Sequence, residues 1–116
     1  MATTRRETLE DLIHWRRDLP ELRAALRRHT GPATVTFTRS HAAAALERTI
    51  AGLAIPSQLA AWTQAVHFEE DVDINDNDLD LLTQFLLELS TPELFTPVTL
   101  ATCQHWLVRL RSTLDG

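Results

Sequence analysis

Apolar residues recur at helical spacing through most of this chain, and the places where the spacing fails mark its joints. In "TLEDLIHWRRDLPELRAALRRH", Leu9, Leu12 and Ile13 keep one face apolar, and Thr8 with Asp11 three residues on has the form of a capping box. Pro20 breaks or kinks that helix, and Asp18 is placed to cap a second segment striped by Leu19, Leu22, Ala25 and Leu26. "HTGP" punctuates the chain, and "ATVTFT" (33–38), β-branched and alternating, is the one strand signal. It is extended chain, or it pairs with another copy, or with a short segment such as "VDI" at 72–74.

Helical spacing returns at "SHAAAALERTIAG", with Ser40 as N-cap and Gly52 as the C-terminal stop. "PSQLAAWTQAVHF" starts at Pro56 and aligns Leu59, Trp62, Ala65 and Val66. "LDLLTQFLLEL" carries the stripe Leu79, Leu82, Leu86 and Leu89, widened by Leu81, Phe85 and Leu87. A short helical turn in "STPELFTP" and a last helix in "VTLATCQHWLVRLRSTL" complete the pattern, the latter with Leu100, Cys103, Leu107 and Leu110 inward. The expectation is an all-α bundle of about five helices with at most one short strand near 33–38. At 116 residues it is a single domain, 1–116. Leu82, Phe85, Leu86 and Leu89 are expected at its centre, with Trp106 near them.

Composition narrows the classes. One cysteine, Cys103, excludes an internal disulfide and a multi-cysteine zinc site. No apolar run approaches the ~18–20 residues of a membrane span, and "MATTRRETLEDL" has no hydrophobic stretch behind its arginines, so no secretory signal is read there. The natural compartment is the cytoplasm. All 11 basic residues are arginine, a mark of GC-rich bacterial coding sequence. The net charge of −5 hides an asymmetry: residues 67–96 carry nine acids and no Arg or Lys, while every other stretch is mildly positive. A local field of that kind is an argument about partners.

Within it lies "EEDVDINDNDLDLL", seven acids in twelve positions: Glu69, Glu70, Asp71, Asp73, Asp76, Asp78 and Asp80. A calcium loop starting at Asp71 puts acid or amide at positions one, three, five and seven, but Asp76 stands where a glycine belongs and Leu82 where a bidentate glutamate belongs. Other registers lose the same two residues, so no metal is expected. His67 beside Glu69, Glu70 and Asp71 lacks any HExxH or HxH spacing. Cys103 and His105, two apart on a helix, point to different faces and cannot cooperate as nucleophile and base. Three glycines leave no phosphate loop and no GxSxG elbow, so neither catalytic residues nor a cofactor are expected. "HAAAALERTIAGLAIPSQLAAWTQAV" has the cadence of a helix-turn-helix. Its second helix carries no positive charge, and the acidic run that follows repels phosphates, so no nucleic-acid partner is expected.

The acidic run reads either as a solvated helix start or as a surface shaped for a basic protein. On the second reading, Trp62 and His67, with Phe68 beside the loop, supply an aromatic anchor next to Glu69, Glu70, Asp71, Asp73, Asp76, Asp78 and Asp80. Neutralising Glu70, Asp71 and Asp73 together is then expected to leave folding little changed. "LAAWTQAVHFEEDVDI" followed by "LLTQFLLELSTPELFTP" resembles small bacterial immunity proteins of the colicin and contact-dependent-inhibition type. In that pattern a Trp-containing helix runs into an acid-acid-aliphatic turn, and a second helix ends in an "L(S/A)xPEL" corner. The matching residues are Trp62, His67, Glu70, Asp71, Ile74, Leu86, Leu89, Pro92, Glu93 and Leu94, over roughly residues 56–97. The resemblance implies a cytoplasmic protein that binds and neutralises a cognate toxin; with the acidic surface, the expectation is a non-enzymatic protein that neutralises a basic toxin or enzyme. An accessory or scaffolding subunit for an enzyme of the same operon, and a transcriptional regulator, are the other readings.

Overall fold

A computed structural model describes residues 4–94 and 97–112 of the chain. Helix α1 (Arg5–Ile13) is capped by Thr4, whose hydroxyl accepts from the Glu7 amide at 3.1 Å. Thr8, the cap expected from the sequence, lies one turn inside the helix and is buried. α1 also stops well before Pro20. Trp15 takes a left-handed conformation (φ 50), its amide donates to the Leu12 carbonyl at 3.0 Å, and the Arg16 amide donates to the Asp11 carbonyl at 2.9 Å. These two bonds are a Schellman ending with tryptophan in the usual glycine place. The left-handed turn costs about 1–2 kcal/mol for a residue with a Cβ. Burial of the indole offsets it: Trp15 stacks on Trp62 at 5.3 Å, and Arg48 lies 5.1 Å above the Trp15 ring.

α2 (Leu19–Arg28) starts with Pro20 in its first turn and presents Leu22 and Ala25 inward. After the turn at Gly31 comes β1 (Val35–Phe37), with Val35 and Phe37 buried and Thr36 exposed between them. Thr38, rather than Ser40, then caps α3 (Arg39–Ile50). The expected stop at Gly52 is present in the same Schellman form as at Trp15, with φ 82 and the Leu53 amide donating to the Arg48 carbonyl at 3.0 Å.

α4 (Pro56–His67) and α5 (Leu79–Ser90) flank β2 (Val72–Ile74) and a turn of 3-10 helix at Asp76–Asp78. β2 is the "VDI" segment, and it pairs with β1 in parallel, in the register Val35↔Val72, Thr36↔Asp73 and Phe37↔Ile74. The fold therefore has two short strands rather than one. Parallel pairing demands a long crossover, and α3 and α4 provide it. α6 (Leu100–Ser112) packs against α3, and a 3-10 turn at Pro92–Leu94 follows α5. Positions 113 and 114 of the predicted last helix lie outside the described residues.

The architecture is a mostly helical single domain, as the hydrophobic pattern predicts, with six α-helices among the described residues. Leu82, Phe85, Leu86 and Leu89 are all buried, and Trp106 meets Phe85 edge-on at 5.5 Å. Phe37 joins this centre from β1, 5.9 Å from the Trp62 ring and 6.4 Å from Phe85. Among the described residues no helix is long and apolar enough to cross a membrane.

Candidate functional site

The acidic stretch leaves α4, forms β2, and turns into α5, and its carboxylates go to two different places. Arg5, the first residue of α1, reaches across to it. Its Nε donates to Asp71 Oδ2 at 2.9 Å and its Nη2 to Glu69 Oε1 at 3.0 Å. Its Nη1 donates to the carbonyls of Leu26 and His29, at 3.1 and 3.0 Å, satisfying the end of α2. The guanidinium fork thus ties α1, the C-terminus of α2 and the acidic stretch at one point, with only 16% of the Arg5 side chain exposed. At the other end Arg39, the first residue of α3, forms an ion pair with Asp78, both side chains being mostly buried, and donates to the Leu110 carbonyl of α6.

Arg5 and Arg39 share a position. Each opens a helix, where the positive end of the dipole disfavours a cation unless carboxylates are near. Sequence reading missed both. At Arg39 the signal present was a cation at the start of a helix whose first turn holds no acid; at Arg5, with Glu7 in the same turn, no such signal stood in the chain.

Glu69, Asp71 and Asp78 are therefore internal ties, and three of the residues expected on a partner-facing surface leave that set. Trp62 leaves it too. It is fully buried, and its Nε1 donates to the Leu12 carbonyl at 2.7 Å, so it anchors the core. Its helical position was correctly placed on the apolar face, and that same placement denies it to a partner. The Arg5 bond also bears on the expectation that neutralising Glu70, Asp71 and Asp73 together leaves folding little changed, since it makes Asp71 one of the two carboxylates that hold Arg5.

Glu70, Asp73, Asp76 and Asp80 are exposed, and their carboxylates make no ion pair or hydrogen bond among the described residues. Asp73 sits opposite Thr36 on the solvent face of the two-stranded sheet. It lines a shallow depression together with Thr36, Ile74, Asn75, Asp76, Asn77 and Leu79. Asn75 shapes the turn by accepting the Asn77 amide at 3.1 Å on its side-chain oxygen. Phe68 is two-thirds exposed and its ring lies 5.1 Å from that of His67. It faces a different depression, lined by Arg23, Leu26, Arg27, Gln64, Ala65 and Glu69, so it stands beside arginines and apart from the Asp73–Asp76 concavity.

Among the described residues no group of three or more His, Cys, Asp or Glu side chains is gathered as a metal ion would need. Asp71 and Asn75, two would-be calcium ligands, are committed to Arg5 and to the Asn77 amide. Cys103 is buried and its thiol is pushed up by that burial, away from the reactive thiolate, while His105 is exposed on another face of α6. No protein-family model, curated protein or solved structure matches the chain.

Proposed function

We propose that this chain is a small acidic binding protein of the immunity or inhibitor kind, acting in the cytoplasm, that meets a basic toxin or enzyme with Glu70, Asp73, Asp76 and Asp80. One observation carries the reading: these four carboxylates are exposed and uncommitted, while Glu69, Asp71 and Asp78 pin the same segment to Arg5 and Arg39. A mobile acidic loop loses entropy when it binds; a segment fastened at both ends holds its charges in place beforehand. Fixed like charges build a field that speeds encounter with a basic surface and weakens with salt. The same field repels nucleic acid. The resemblance over residues 56–97 supports the immunity form of this reading, and no cofactor enters it.

The test is a pull-down of the partner from the native host, followed by association kinetics with it at low and high salt. The triple variant Glu70→Gln, Asp73→Asn, Asp76→Asn should associate about tenfold more slowly at low salt and lose most of its salt dependence. Charge reversal at Arg16 and Arg17, which pair with Asp11 of α1, should change the rate by less than about twofold. The opposite pattern would move the binding surface to the first helix.

A further inference from the structure

We infer that the shallow groove between α2 and the end of α4 is a self-association surface, on which two copies of this chain meet across a twofold axis. Phe68 of each copy seats in the groove of the other, and Glu70 of each faces the other's Arg23 and Arg27. The inference does not rest on the binding reading above, with which it shares Glu70 alone. The groove measures about 410 Å³, and half-buried Leu26 and Ala65 give it an apolar lining.

Its charges are unbalanced. Arg23 and Arg27 stand four residues apart on α2, on one face, and both are exposed. Neither makes an ion pair or a hydrogen bond among the described residues. Glu69 is the acid that lines the groove, and Arg5 already holds it. The groove is therefore positive in a chain whose net charge is −5. Glu70, the next residue, is an exposed carboxylate that no side chain holds among the described residues. Phe68, two residues before it, is 66% exposed, while every other Phe or Trp among the described residues is buried. A phenyl ring is among the groups that gain most from leaving water, so this one marks a contact surface.

A twofold contact lays a patch against itself, so each feature must find its complement within the same patch. This patch meets that condition. It holds an apolar knob beside an apolar groove, and two free cations beside one free carboxylate. A twofold axis near Phe68 carries the ring of one copy toward Leu26 and Ala65 of the other, and Glu70 toward Arg23 and Arg27. Every contact is made twice. The patch supplies both halves of the fit, which favours a second copy over an acidic segment of another protein. One ring and one charge cluster per side make a small interface, so the pair is weak and sensitive to salt.

Sedimentation equilibrium of the full chain, taken up to about 1 mM at low and high salt, tests the surface. A monomer–dimer equilibrium should appear and weaken about threefold or more with added salt. Phe68→Ser should weaken it about tenfold or more. Arg23→Glu with Arg27→Glu, and separately Glu70→Arg, should each abolish the dimer, because each homodimer then sets like charges together. Mixing these two proteins should restore a heterodimer, since every cation again faces an acid. The four side chains are exposed and hold no hydrogen bond among the described residues, so the variants should melt with the parent. In the parent, isotope-filtered NMR of mixed labelled and unlabelled copies should place the Phe68 ring against α2 of the other copy, a readout that stands even if a variant fails to fold. A protein monomeric across the whole range would overturn the inference and leave the groove to a foreign acidic segment. A dimer indifferent to Phe68→Ser, with no recovery in the charge-swapped mixture, would overturn it as well.

Discussion

Glu69 and Glu70 are neighbours in the chain and identical in chemistry, yet Glu69 lies 3.0 Å from Arg5 with 19% of its side chain exposed, and Glu70 faces water. The same division runs through the rest of the stretch. Asp71 and Asp78 are held by Arg5 and Arg39, whereas Asp73, Asp76 and Asp80 are not held by any side chain among the described residues. A charge count along the chain treats all seven alike. The fold does not, because two arginines distant in sequence take up Glu69, Asp71 and Asp78 and leave the carboxylates interspersed with them to solvent. Charge density in a sequence therefore marks where a surface can form, and the arginines that consume part of it decide which carboxylates belong to that surface.

A core deletion sets the scale for testing this division. Leu86→Ala opens a cavity beneath α5, the helix into which the acidic stretch runs, and should cost about 2–5 kcal/mol in urea unfolding. A loss below about 1 kcal/mol would mean that α5 is not the centre of the core. Arg5→Met comes next. It leaves Glu69, Asp71 and the Leu26 and His29 carbonyls without their donor, and should cost about 2–3 kcal/mol, changing little with salt because the fork is mostly covered. Were Arg5→Met to cost no more than an ordinary surface substitution, about 0.5 kcal/mol, the two classes would merge into one solvated face.

The sequence made the helical stripes legible because burial enforces them: Leu82, Phe85, Leu86 and Leu89 sit at the spacing that points them into one core. It made helix ends legible where chemistry is local, as at Gly52. It misled at Trp15, where the left-handed residue is a tryptophan held by Trp62 and Arg48, side chains far along the chain. The "VDI" strand was one of several partners open to "ATVTFT", since three-residue strands carry too little pattern to choose. Of the candidate site, the acidic residues were visible and their sorting was not. Arg5 is separated from Glu69 and Asp71 by more than half the chain, and its pairing appears only once α1 is docked.

The most direct measurement compares two neutralised proteins by urea unfolding at neutral pH: Glu69→Gln with Asp71→Asn, and Glu70→Gln with Asp73→Asn and Asp76→Asn. The first pair removes the carboxylates that hold Arg5 and should lose about 2–3 kcal/mol. The second set removes only repulsion among exposed groups and should unfold within about 0.5 kcal/mol of the parent, or slightly later. Equal losses in the two proteins would contradict the division of the acidic stretch into structural ties and free surface.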